Sequence, residues 1–264
     1  MNQYDVYGDK NIMNKTVLEN QIEQFSRYGD HSVEDELSLY FPNNTVRITK
    51  KSKGQYQFIR TSHKLDDVKQ RITLDSELVV NVAPVLPLNL PERKTDLLYL
   101  DFEEPLYLDR HIETKVTIPY PVEIGVFIKK SDTEQQLLDC FCCDQSLCGF
   151  ALYGTPTEGE FCKYSNIDFD MHPDVYSYGM VDIFIHNNMD SATTMNKVVC
   201  NPTQQNIYYG NGKINLDPLK VVIDKGGLVA SVSVQKIEND FDCNVSPKIQ
   251  QETSGSFIMK EGIN

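Results

Sequence analysis

Apolar and polar residues alternate with a period of two along much of the chain, the pattern of strands with one dry and one wet face. Val68, Gln70, Ile72 and Leu74 alternate with Lys69, Arg71 and Thr73. Val181, Ile183 and Ile185 alternate with Asp182, Phe184 and His186, and Leu228, Ala230, Val232 and Val234 with Val229, Ser231, Ser233 and Gln235. Shorter runs at 37–40, 46–49, 56–61, 97–102, 122–128 and 219–223 also read as strands. Turn residues separate them: Pro42-Asn43-Asn44, Lys53-Gly54, and the hairpin signals Asn211-Gly212 and Gly226-Gly227, which tolerate positive φ. Residues 14–27 alone show helical spacing, with Leu18, Ile22 and Phe25 on one face and Asn14 placed to cap it. The expected fold is all-β, a sandwich or barrel of many short, mostly antiparallel strands with at most one short helix.

The length of 264 residues suits one compact unit or two packed β halves, 1–91 and 92–264. The division falls at Pro84, Pro87 and Pro91, which favour an extended path and argue against a central strand. The same stretch carries Val85, Leu86, Leu88 and Leu90. A solvated linker has no use for them, so the segment is expected to pack along the body with at least half of these side chains buried.

Composition narrows the function classes. Hydrophobic residues at 40% suffice for a core, which argues against disorder. A net charge of −13 speaks against nucleic acid, because phosphate binding needs clustered cations. The short basic run Lys50, Lys51 and Lys53 reads as a hairpin tip. No stretch approaches the roughly 18 apolar residues of a membrane helix. Met1–Asp5 lacks the basic and apolar parts of a signal peptide, so a cytoplasmic location is expected.

The seven cysteines are odd in number, and Cys140, Cys142, Cys143 and Cys148 crowd together, unlike a secreted disulfide framework. Cys140 and Cys143 form a C-x2-C pair, and Cys148 follows at zinc-knuckle spacing. Tyr153 stands where the fourth ligand would fall, so a four-thiolate zinc or iron–sulfur site from Cys140, Cys143, Cys148 and Cys162 requires Cys162 to fold back. Against this, a regular strand through Cys140 and Cys142 points Cys140 and Cys143 to opposite faces and leaves the thiols as core filling. That arrangement is preferred, with a turn at Asp144-Gln145-Ser146, no shared metal, and a hairpin returning through 149–153.

Asp168, Asp170, His172 and Asp174 are spaced by two and could face one cation from an extended strand. Pro173 and Gly179 break the EF-hand pattern, and a solvated turn is the preferred account. No catalytic motif names a reaction.

The segments Ala83-Pro84-Val85-Leu86-Pro87-Leu88-Asn89-Leu90-Pro91, Leu98-Tyr99-Leu100-Asp101-Phe102, Pro121-Val122-Glu123-Ile124-Gly125-Val126-Phe127 and Ala151-Leu152-Tyr153-Gly154-Thr155-Pro156, with the early Tyr7-Gly8, resemble an archaeal protein family, domain of unknown function 432. The resemblance implies an archaeal source and a fold rich in β-structure. It supplies no reaction and no catalytic residue, and the dense cysteine group lies outside it.

The expected function is a non-enzymatic β-sandwich binding or scaffold protein with a macromolecular partner. The alternative is a metal-binding protein using the Cys140–Cys162 cluster. A third reading is carbohydrate or small-ligand binding in a sandwich cleft, with Tyr176, Tyr178, Tyr208 and Tyr209 available to stack.

Overall fold

The structure is a computed structural model and describes residues 27–249 apart from 132, 155–157, 173, 225–229 and 237–242. The helix expected from residue 14, the Gly226-Gly227 turn, and Leu228 and Val229 lie outside the described residues. The chain enters in β1 (Gly29–Ser32). It runs through an antiparallel meander of β2 (Glu36–Phe41), β3 (Asn44–Ser52), β4 (Gln55–Ser62) and β5 (Val68–Thr73), and returns in β6 (Val79–Val85). Next come β7 (Leu98–Leu108), β8 (Glu113–Pro121), β9 (Glu123–Lys129) and β10 (Gln135–Phe141). A 3-10 turn, Gln145–Cys148, precedes β11 (Phe150–Tyr153), β12 (Glu160–Ile167), β13 (Tyr178–Asn187) and β14 (Thr193–Cys200). The remaining strands are β15 (Ile207–Gly210), β16 (Lys213–Leu216), β17 (Leu219–Ile223), β18 (Ala230–Val234) and β19 (Asn244–Val245).

These strands form four sheets, mostly antiparallel and not closed into a barrel. The expected hairpins are present. Asn43 (φ 60°) turns β2 into β3, Gly54 (φ 70°) turns β3 into β4, and Asn211 and Gly212 (φ 47° and 81°) turn β15 into β16. The clean alternation of β13 is matched by alternating burial along its whole length.

Sheet β1-β6-β9-β10 draws strands from both sides of the proline segment. It lies between two cores. Val80 and Val82 of β6 and Ile124, Val126 and Ile128 of β9 face the meander, packing with Val46, Ile48 and Phe58. Ala83, Val85 and Phe127 face the other way, into the larger core. Sheet β11-β12-β7-β14 and the seven-stranded sheet built on β13 close over that core as a sandwich, contributing Leu98, Leu100, Ile183 and Val221 among others. With both faces dry, β6 and β9 are nearly continuous in apolar residues and show no period of two.

Pro84 corrects the expectation drawn from the prolines, since it sits inside β6, which is flanked by β1 and β9. Its carbonyl oxygen accepts a hydrogen bond from the Ser246 hydroxyl. Within a strand a residue's N and C=O project to the same side, so the missing N–H of Pro84 faces away from β9. On that side β1 has already ended, its last pair being Gly29 with Val82. No ladder bond is lost.

Beyond Pro84 the segment packs as expected, with Val85 and Leu88 buried and Leu86 and Leu90 half-buried. It is held by two buried charges. Glu123, 2% exposed, accepts from the Asn89 backbone N–H (3.1 Å) and side-chain Nδ2 (2.9 Å) at Oε2, and from the Leu90 N–H (3.1 Å) at Oε1. Lys163, 1% exposed, donates to the Leu90 carbonyl oxygen from β12. Burial pushes the Glu123 carboxyl pKa up, opposed by the Asn89 side chain, Lys163 and the two backbone donors.

Glu123→Gln should therefore lower the unfolding free energy by about 1–3 kcal/mol, because an amide nitrogen must face one of these N–H donors. A raised folded pKa means the folded chain holds this proton more tightly than the unfolded one. The stability Glu123 contributes is thus fullest in acid and is lost as pH rises through the folded pKa. Urea titrations across that range should show this slope in the parent chain and its absence in the variant.

Candidate functional site

The cysteines distribute among different surroundings. β10 ends at Phe141, so Cys142 stands just past the strand, a correction to the regular strand expected through it. The physical reason lies in the β2–β3 turn. Asn44 Nδ2 donates to the Cys142 carbonyl oxygen and Asn43 Nδ2 to that of Cys143, each at 3.2 Å, which draws the chain out of the ladder. The turn after Cys143 is present as the 3-10 segment, capped by Asp144 Oδ1, which accepts from the Ser146 N–H at 2.9 Å. The returning strand β11 does not pair with β10; it pairs with β12 in another sheet.

Of the four candidate metal ligands, Cys143 is buried in the core beneath the meander. Cys140 packs against the larger core, and its thiol lies 3.5 Å from Glu123 Oε2 as donor. Cys162 is buried, with its thiol donating to the Glu160 carbonyl oxygen at 3.5 Å. Cys148 meets Cys142 instead, Sγ to Sγ at 2.9 Å. All seven cysteines are free. Among the described residues no group of three or more His, Cys, Asp or Glu side chains is placed to hold a metal ion.

The acidic segment is a turn between β12 and β13. Asp168 Oδ1 accepts from the Asp170 N–H at 2.9 Å, and Asp174 Oδ1 from the Tyr176 N–H at 3.2 Å, so these carboxylates cap local backbone. Of the aromatic set named from sequence, Tyr176, Tyr208 and Tyr209 are buried and Tyr178 is half-buried.

A different set of tyrosines clusters outside both cores. On the outer face of sheet β11-β12-β7-β14, Tyr99 meets Tyr164 edge-on with ring centroids 5.5 Å apart, and Tyr153 at 5.9 Å. All three rings are half-buried. The Lys197 ammonium stands over Tyr99 and Tyr153 at 5.7 and 5.8 Å. Tyr164 Oη donates to Asp101 Oδ2 (3.0 Å), and Asn166 Nδ2 donates to Glu103 Oε1 (2.6 Å). A cleft of about 460 Å³ starts at Tyr153, Glu160 and Lys197 and runs beside β14 to Ala230 and Val232 of β18. Its volume falls in the range of small-molecule clefts, roughly 300–1,000 Å³.

Sequence reasoning missed this face because Tyr99, Tyr153 and Tyr164 lie far apart along the chain. It also missed Glu123 and Lys163, although a lone carboxylate inside the apolar run 122–128 was the available signal.

The family profile described as protein of unknown function (DUF432) matches residues 27–260. The chain belongs to the DUF432 family. No curated protein and no solved structure matches this DUF432 chain.

Near the cysteines, the DUF432 fold ties the meander to the central sheet through a buried ion pair. Arg60 Nε lies 2.7 Å from Asp139 Oδ2, and its guanidinium sits 5.5 Å from the centre of the Phe141 ring. Burial raises the Asp139 pKa, and Arg60 opposes that rise. Asp139→Ala should cost about 3–5 kcal/mol by leaving a buried guanidinium unpaired, whereas Arg60→Met with Asp139→Leu should recover most of it. Denaturant unfolding of the single and double variants measures both.

Proposed function

We propose that this DUF432 protein is a non-enzymatic binding protein that holds a polyhydroxylated ligand of the carbohydrate class against the outer face of sheet β11-β12-β7-β14. The observation that carries this reading is the cluster of Tyr99, Tyr153 and Tyr164, outside both cores, of which Tyr153 also lines the cleft beside β14. A pyranose presents one apolar C–H face and a rim of hydroxyls. Tyrosine rings supply the matching apolar surface and keep a polar tip. Lys197, Asp101, Glu103 and Asn166 surround the rings with donors and acceptors for the rim. The sheet places them without further folding, so the ordering cost on binding is small.

The acidic balance of the chain supports a neutral or cationic ligand over an anionic one. The same reading puts the protein in a reducing cytoplasm, supported by seven cysteines without a disulfide.

The chain contains no tryptophan, so its intrinsic fluorescence comes from tyrosine and reports directly on ligands that cover these rings. An array of neutral and charged oligosaccharides, followed by fluorescence and calorimetric titration of those bound, tests the proposal. A neutral or amino-sugar oligosaccharide should bind, and Tyr99→Ala or Tyr164→Ala should weaken it at least tenfold, about 1.4 kcal/mol. Tyr107→Ala, an exposed ring elsewhere on β7, should leave binding unchanged. No binding across the array, or binding indifferent to Tyr99 and Tyr164, overturns the proposal.

A further inference from the structure

The closest pair of thiols in the described chain has no part in the tyrosine face. Cys142 and Cys148 flank the 3-10 turn, their sulfurs 2.9 Å apart, closer than two unbonded sulfurs rest in ordinary contact. A disulfide at about 2.05 Å needs a further approach of only about 1 Å, and the short turn between them brings no distant element along. We propose that Cys142 and Cys148 form a dithiol–disulfide couple that exchanges electrons with low-molecular-weight disulfides.

The two thiols are unequal in ways that assign their roles. Cys148 is partly exposed, while Cys142 is 2% exposed. The hydrogen bond shared with Cys142 lowers the Cys148 pKa, and the buried Lys163 ammonium adds to this against the opposing effect of burial. The same hydrogen bond, with burial, raises that of Cys142. Cys148 is thus the attacking thiolate and Cys142 the resolving thiol. Cys148 Sγ attacks one sulfur of the small disulfide, forming a mixed disulfide and releasing one small thiolate, which takes up the proton Cys148 gave to solvent. Cys142 then attacks Cys148 Sγ and expels the second small thiolate, which leaves with the Cys142 proton. The dithiol is oxidised by two electrons, one small disulfide is reduced to two thiols, and the protons balance.

The remaining cysteines lie outside the couple. Cys143 is buried under the meander and Cys140 is engaged with Glu123. The carbonyl oxygens of Cys142 and Cys143 are fixed by Asn44 and Asn43, and that of Gly149 by the Tyr164 N–H at 3.1 Å, so both ends of the turn are anchored.

The test is incubation of the folded full chain with oxidised glutathione, followed by alkylation and mass spectrometry. Cleavage before Asp144 separates Cys142 from Cys148, so the bond links two fragments, and fragmentation distinguishes Cys142 from Cys140 and Cys143 and Cys148 from Cys162. The expected product is a Cys142–Cys148 disulfide two hydrogens lighter than the dithiol, reversed by reduced glutathione. Cys142→Ser should stop at a glutathione adduct on Cys148, and Cys148→Ser should give neither adduct nor bond at Cys142. Far-UV circular dichroism checks that each variant is folded; where one is not, the map of the parent chain decides. A parent chain in which this pair stays reduced, or in which another cysteine is oxidised first, overturns the proposal.

Discussion

The central sheet has no wet face at its two inner strands, and the rest of the molecule is arranged around that constraint. β6 and β9 must be covered twice, by the meander on one side and by the sandwich on the other. Buried apolar area supplies the driving force on both sides. It also leaves the sheet intolerant of any polar group without a partner. Asn81, the one amide within β6, meets the Tyr209 hydroxyl across the interface. Pro84 is accommodated because its N side looks past the end of β1.

Glu123 and Lys163 are the exceptions that define how the chain leaves this sheet. Neither pairs directly with the other. The carboxylate takes the Leu90 N–H and the ammonium takes the Leu90 carbonyl oxygen, so one peptide segment spans the two charges. Such charges are poor sources of net stability, and in some proteins they select one conformation among several. Here the conformation selected is the path of 86–91, which closes the end of the larger core. The same ammonium lies over the Phe150 ring at 5.1 Å and lowers the Cys148 pKa, so it connects the proline segment to the thiol pair.

The sheet architecture was legible in the sequence wherever one strand face meets water. β13, β17 and the meander hairpins announced themselves through alternation and turn chemistry. β6 did not, because a strand buried on both faces has no period, and its proline pointed the other way. β12 was hidden for another reason, since its inner face carries Lys163 and Ser165, which read as solvent-facing. The thiol cluster was visible as a cluster, but its partners were not. Spacing joined Cys140, Cys143 and Cys148, whereas the side chains of Asn43 and Asn44, roughly a hundred residues away, decide where the chain bends. The tyrosine face was out of reach for the same reason, being assembled from β7, β11 and β12 by sheet order alone.

Assembly of the central sheet has a consequence for the timing of synthesis. β2 to β5 pair only with sequence neighbours, so the meander can form as soon as it leaves the ribosome. Its apolar face then has only Leu78, Val80 and Val82 to rest on until β9 and β10 have been made, and the Ser246 hydroxyl reaches the Pro84 carbonyl across 162 residues. Contacts of such range make folding slow and leave hydrophobic surface open meanwhile. The nascent chain therefore passes through a stage in which a finished sheet leaves Val46, Ile48 and Phe58 only partly covered.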